Sequence, residues 1–192
     1  MSGATAFPVG AVIVGAGAGK RFGGPKAVAL LPDGRRFIDV VCETAARGGL
    51  APIVAVLPPG ISAPADVAVV VNPRADGEQV VSIQLGLARL ANTPCVGAIV
   101  WPVDHPFISP ETILAIVACA HRTGAPIIAP ELDGRRGHPV FFHRDTWREL
   151  LTVPHGGARA VVRSYGSRAV TVPVPDAGIR RNIDTQADLA TG

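Results

Sequence analysis

Lysine is nearly missing from this 192-residue chain. Of its 18 basic residues only Lys20 and Lys26 are lysines, and both fall in one glycine-rich stretch. Cysteine is scarce too. Cys42, Cys95 and Cys119 lie far apart in apolar settings with no C-x-x-C pair, which argues against a disulfide scaffold or a zinc ribbon and marks them as reduced core residues. Aromatic residues are only 5% of the chain and no basic stripe interleaves with them, which disfavours nucleic acid as a partner. Charged residues make up 17% and hydrophobic residues 48%, with a mean hydropathy of +0.34. That balance excludes a disordered chain or a coiled coil. No apolar run approaches the roughly 20 residues of a membrane-spanning helix, so no membrane partner is expected. Met1–Pro8 lacks a basic segment followed by an apolar one. No signal peptide is expected there, and the cytoplasm is the expected location. The net charge of +3, with a pI near 9.1, is spread along the chain.

Glycine and proline are plentiful, at 22 and 18. They follow no Gly-X-Y repeat and instead break the chain into short elements. Ala11–Val14 reads as a buried strand feeding a loop, Pro52–Leu57 as a second buried strand, and Val67–Val71 as a third. Val96–Trp101 is a fourth, Pro126–Ala129 a fifth and Val140–Phe142 a sixth, while Ala169–Val174 reads as a strand near an edge. Helical spacing runs over Ile38–Ala46 and Gln79–Leu90, the latter entered through a turn at Asp76-Gly77. Ser109-Pro110 predicts a capped helix start, with the helix ending near Arg122. Shorter helices are predicted over Asp145–Leu151, over Gly157–Ser164 and from Thr185. Strands alternating with helices predict one α/β domain over residues 1–192. Its expected form is a three-layer α/β/α Rossmann-like sandwich with a mostly parallel mixed sheet. Ligands of such sheets sit beyond the C-terminal strand ends, which directs attention to the loops after Val14, Val71 and Trp101.

The first of these loops is Gly15-Ala16-Gly17-Ala18-Gly19-Lys20-Arg21-Phe22-Gly23-Gly24-Pro25-Lys26. It is not a Walker A loop: Val14 stands where the first glycine should be, and Arg21 follows Lys20. It also misses the dinucleotide spacing G-x-G-x-x-G. What remains is a backbone that a ligand can approach closely, with three cations around it, which suits a polyphosphate. A plain solvated loop is the competing reading. Asp104 follows an apolar strand at the same sheet edge and suits a Mg²⁺ ion shared with phosphates. The alternative is an Asx-turn between Pro102 and Pro106. Asp184 or Thr185 could cap the last helix, with Asp188 completing a capping box. His138 and His143 are five residues apart across a short strand and point to opposite faces, which disfavours a zinc pair. His138 lies beside Arg135 and Arg136 in a local cationic patch. His105 adjoins Asp104 and could orient it, whereas His121 and His155 read as surface residues.

Residues 14–26 resemble the opening motif L-A-A-G-x-G-x-R-x-G-G-x-K of the MobA-like (or MocA-like) NTP transferases, with Val14 for Leu and Gly15 for Ala. The resemblance continues in order along nearly the whole chain. Asn72-Pro73, Ser82-Ile83 and Gly86-Leu87 are similar to the family's N-P…S-L-x-x-G-L stretch, and Pro102-Val103-Asp104-His105-Pro106 to its P-x-D-x-P segment. Gly137-His138-Pro139-Val140 with Phe142 resembles G-H/N-P-V-L-F, Gly157-Ala158-Arg159 resembles G-A-R, and Asn182-Ile183-Asp184-Thr185 resembles the start of N/D-I-D-T-P-E-D-L. In that last segment Gln186 and Ala187 depart from the family's Pro and Glu.

The resemblance implies a Mg²⁺-dependent nucleotidyltransferase with the fold of nucleotide-diphospho-sugar transferases. It implies catalytic roles for Lys26, Arg21 and Asp104. It implies nucleotide binding by Gly15, Ala16, Gly17, Ala18, Gly19, Lys20, Asn72 and Ser82, and acceptor binding by Arg136, Gly137 and His138. Asp104 and Asp184 would be the metal ligands. The implied acceptor is a phosphorylated small molecule, molybdopterin or its molybdenum form, and a molybdoenzyme or its maturation factor would be a partner. The endings G-x-P-K and G-H-P-V-F are closer to the cytidylyl branch, which makes CTP the expected NTP. GTP stays open, as do a sugar phosphate, phospholactate or polyol phosphate acceptor and a non-catalytic nucleotide-binding or cofactor-delivery protein.

Overall fold

The computed structural model describes residues 7–74, 78–153 and 157–190; the turn predicted at Asp76-Gly77 and His155 lie outside them. In chain order the elements begin with β1 (Val9–Val14), α1 (Phe37–Arg47), β2 (Ile53–Leu57), β3 (Ala68–Val71), α2 (Gln79–Leu90), β4 (Gly97–Pro102) and α3 (Pro110–Thr123). They continue with β5 (Ile127–Leu132), β6 (Arg135–Arg136), β7 (Val140–His143), α4 (Trp147–Thr152), α5 (Gly157–Tyr165), β8 (Ala169–Pro173) and α6 (Gln186–Ala190).

The sheet order is β3-β2-β1-β4-β7-β5-β6, with β8 beside β5. β3, β2, β1 and β4 are mutually parallel. β7 enters antiparallel between β4 and β5, and β8 runs parallel to β5. This is the mixed, mostly parallel sheet that the alternation of elements predicts.

Side chains of β1 alternate between two cores. Ala11 and Ile13 join Phe37, Ile38 and Ile113 of α1 and α3 on one face. Val12 and Val14 join Ile83 and Leu87 of α2, with Trp147, Leu150 and Val161, on the other. Burial on both faces explains why β1, β2 and β4 read as continuous apolar runs rather than alternating ones. α2 lies so close to β1 that a Cβ at Gly86 would collide with Val12.

One strand departs from expectation. Residues 67–71 read as fully buried, yet β3 is an edge strand on which Val69 and Val71 are exposed. The predicted start at Ser109-Pro110 is realised: the Ser109 hydroxyl accepts from Thr112 N at 3.3 Å, and Gly124 ends α3 in the left-handed conformation. Cys42, Cys95 and Cys119 are free and buried. Burial, the largest influence, pushes the Cys42 thiol up to about 12. No helix among the described residues is long and apolar enough to cross a membrane.

Candidate active site

The strand order reverses between β1 and β4, which open a crevice at their C-terminal ends. The glycine-rich loop rises from β1 at this crevice. Gly19 has φ +60° and its carbonyl accepts from the amides of Phe22, Gly23 and Gly24 at 2.9, 3.0 and 3.2 Å. A Cβ at Gly19 would run into the Gly24 carbonyl. The loop folds around this one residue and then delivers Lys26 at the start of a single 3₁₀ turn, Lys26–Val28.

Beside it, Val103 N donates to Val14 O and His105 N to Pro102 O, so the backbone itself closes the turn after β4. The Asp104 carboxylate is thereby left for other partners. Ile183 N donates to Asp104 O at 2.8 Å, which anchors the C-terminal segment against this turn and brings Asp184 alongside. The capping role falls to Asp188, which accepts from Asp184 N, Thr185 N and the Thr185 hydroxyl at 2.8, 2.7 and 3.0 Å. The Asp184 carboxylate therefore turns to cations. Lys26 Nζ lies 2.9 Å from Asp104 Oδ2 and 2.6 Å from Asp184 Oδ1, and Arg21 Nη2 lies 3.3 Å from Asp184 Oδ2. The hydrogen bond from Lys26 is the largest influence holding Asp184 below the usual carboxylate range; Arg21 adds to it.

These groups border a cavity of about 350 Å³, whose wall also includes Gly15, Ala16, Gly17, Gly19, Lys20 and Ser82. Ala18 belongs to the loop but not to this wall. Asn72, expected to touch nucleotide, lies behind it. It is 2% exposed; its Nδ2 donates to Ser82 Oγ at 2.9 Å and its Oδ1 accepts from Arg74 N at 3.0 Å. Asn72 thus positions Ser82 and Arg74 rather than facing the cavity. Arg74 and Gln79, which sequence reasoning did not single out as site residues, stand in the wall. Their signal was position: both follow β3 at the same sheet edge.

A second cavity, of about 590 Å³, adjoins the first, and Gln79 and Pro102 border both. Arg136, Gly137 and His138, the residues expected to bind an acceptor, line it, although Arg136 Nη2 also donates to Ala169 O at 3.2 Å. Arg159 and Arg163 of α5 line it as well, one helical turn apart; Arg159 ends the G-A-R segment, for which no site role was expected. Val80, Ile83, Val140 and Phe142 supply an apolar wall.

His105 does not orient Asp104 through a hydrogen bond, because Nε2 to Oδ1 is 4.0 Å. Its ring instead faces that of His138, with centroids 4.8 Å apart. Burial, followed by the neighbouring His105, pushes His138 down to about 4. His143 lies elsewhere: its Nδ1 accepts from Asp145 N at 3.3 Å and caps a 3₁₀ turn. His121 Nε2 lies 3.1 Å from Phe7 O.

The two carboxylates converge on one cationic point. No cluster of three or more His, Cys, Asp or Glu side chains suited to a metal occurs among the described residues. The pair fits a hard, oxygen-seeking cation such as Mg²⁺, which takes one or two carboxylates and completes its shell with phosphate oxygens and water.

A doubly wound sheet with a glycine-rich, cation-flanked loop and an acidic pair at its switch point defines an α/β nucleotide-binding protein. The match extends further: residues 11–170 fit the MobA-like NTP transferase domain, and the chain belongs to that family of nucleotidyltransferases. It is 32% identical over 106 residues to a protein of Mycobacterium avium (strain 104) named "Probable molybdenum cofactor guanylyltransferase". That alignment covers 54% of this chain and 53% of the relative, so the chain spans about half the length of the curated relatives it matches. Among solved structures, Rv0371c from Mycobacterium tuberculosis H37Rv superposes with a TM-score of 0.82 at 23% identity, covering 97% of both chains. A complex of Rv0371c with manganese superposes at 0.76 with 21% identity, over 95% of this chain and 96% of that one. The 2-C-methyl-D-erythritol 4-phosphate cytidylyltransferase of Thermus thermophilus superposes at 0.68 with 18% identity, over 95% and 96%.

Proposed function

We propose that this protein transfers a nucleoside monophosphate from an NTP to a phosphate-bearing acceptor, with release of pyrophosphate. The observation that carries the reading is the pair of adjoining cavities, one walled by the loop and the Lys26–Asp104–Asp184 cluster, the other by arginines and apolar side chains. In this reading the first cavity takes the NTP and the second the acceptor, so donor and acceptor meet beside Gln79 and Pro102.

An acceptor phosphate oxygen attacks the α-phosphorus in line. The new P–O bond forms as the α–β bridging bond breaks, and its electron pair leaves with pyrophosphate. A phosphate monoester has a second pKa of about 6, so at pH 7 the attacking oxygen is already largely ionised and needs no strong general base. The chain's work is positioning and charge stabilisation. Loop amides from Gly17 to Gly19 hold phosphate oxygens, while Lys20, Arg21 and Lys26 offset the charge that builds on the leaving group. Asp104 and Asp184 would hold a divalent ion, Mg²⁺ or Mn²⁺, which supplies Lewis-acid stabilisation of phosphate oxygens.

The apolar wall beside Arg159, Arg163 and His138 suits an acceptor with a flat, weakly polar body and an anionic group. That agrees with a pterin phosphate of the molybdopterin type, with a molybdoenzyme or its maturation factor as the recipient of the product. The G-x-P-K and G-H-P-V-F segments favour CTP as donor. The name carried by the mycobacterial relatives favours GTP, which makes GTP the second reading.

The test is pyrophosphate release by the purified protein with CTP, GTP, ATP or UTP, Mg²⁺ or Mn²⁺, and molybdopterin. One NTP should support release, and Asp104→Ala should lower turnover by about a hundredfold or more, the scale of losing one preorganised stabiliser. NTP binding without release would favour the delivery-protein alternative. Undiminished turnover in folded Asp104→Ala would overturn the assignment of the acidic pair.

A further inference from the structure

We propose that the Lys26 ammonium is the standing counter-ion of the Asp104–Asp184 pair, and that a bound triphosphate draws it away so that a divalent cation takes its place. Nucleotide and metal then load together. This rests on the nucleotidyl-transfer reading above.

Lys26 Nζ lies 2.9 Å from one carboxylate and 2.6 Å from the other, and the side chain is only 16% exposed. A divalent ion held by the same two oxygens would compete with the ammonium for them. The other Asp184 oxygen already faces Arg21 at 3.3 Å, which leaves no second arrangement bridging both carboxylates without a cation in the way. A metal arriving alone must evict Lys26 and leave its charge without a partner.

A triphosphate removes both obstacles. The cavity that holds Lys26 is also walled by the glycine-rich loop, so phosphate oxygens seated there lie within the swing of its four-carbon stem. Those oxygens also supply ligands that two carboxylates do not. The coupling is reciprocal: whatever factor the triphosphate adds to metal affinity, the metal adds to triphosphate affinity.

The test is Mn²⁺ binding to the full chain without nucleotide, by calorimetry and electron paramagnetic resonance. Lys26→Met should bind Mn²⁺ at least about tenfold tighter than the unaltered protein, within the usual range of coupling between sites. Arg21→Met removes a charge from the same carboxylate but leaves the ammonium in place, and should change the affinity by less than about threefold. Equal gains from both variants would mean a general field effect and would overturn the proposal. So would a Lys26→Met protein that binds no tighter while Asp104→Asn still abolishes Mn²⁺ binding; the metal reading would survive that result. Mn²⁺ binding unaffected by Asp104→Asn in either background would sink the metal reading and this proposal together. Lys26→Gln serves in the same assay if Lys26→Met does not fold. In metal-free buffer the Lys26 variant should also melt below the unaltered protein and gain more from Mn²⁺, because the two carboxylates then keep only the exposed Arg21 as a counter-charge.

Discussion

His138 is a single side chain with a measurable signature. Its native ring is held neutral down to about pH 4, first by burial, while an unfolded ring titrates near 6.5. Between these values the unfolded chain binds a proton that the native ring refuses. Native stability should therefore fall as pH drops from 6.5 towards 4 and be insensitive to this residue above 6.5. Denaturant titrations at pH 7, 5.5 and 4.5 should show a smaller loss in His138→Asn than in the unaltered protein; equal losses would contradict the burial argument. Much of the site was legible at this scale. Lysine is so rare here that Lys26 stood out, and Asp104 was marked by the apolar strand before it. Asp184 was ambiguous between capping and ligation until the structure gave the cap to Asp188. The contacts of Asn72 and His105, with Ser82 and the His138 ring, were not legible because they are set by tertiary packing that no local pattern encodes.

Among the elements, the loop between β1 and the first 3₁₀ turn carries the sharpest expectation. Gly19→Ala places a side chain at φ +60° and against the Gly24 carbonyl. The backbone conformation alone should cost about 1–3 kcal/mol, and the loop should open rather than the sheet. Nucleotide-dependent stabilisation should then be lost while far-ultraviolet circular dichroism stays unchanged; retained nucleotide response would count against the loop as the phosphate seat. Most element boundaries were readable because caps and breakers are local. Ser109, Pro110 and Gly124 bracket α3, and α2 runs over the predicted Gln79–Leu90. The exposure of β3 was not readable, since a run of valines looks the same at an edge as in the centre of a sheet. Nor does a strand sequence carry its direction, so the antiparallel entry of β7 waited for the structure.

At the scale of the whole molecule, occupancy of the first cavity should register as global stability. A ligand that binds only the native state adds about 2.7 kcal/mol at a hundredfold excess over its Kd. A thermal-shift series with CTP, GTP, ATP and UTP in the presence of Mg²⁺ should single out one base, and a flat response to all four would argue against an NTP site. The reversed strand β7 also has an architectural consequence. Its first residue, Val140, pairs with Val100 near the C-terminal end of β4, so the preceding Arg136-Gly137-His138 segment reaches the crevice as an arrival of the chain. The glycine-rich loop reaches the same crevice as a departure from β1. These two stretches lie more than a hundred residues apart, and among the described residues the two cavities share only Gln79 and Pro102 between them. Selectivity on one side is therefore open to drift or to grafting while the other stays intact, a modular economy that would let one scaffold serve many pairs of substrates.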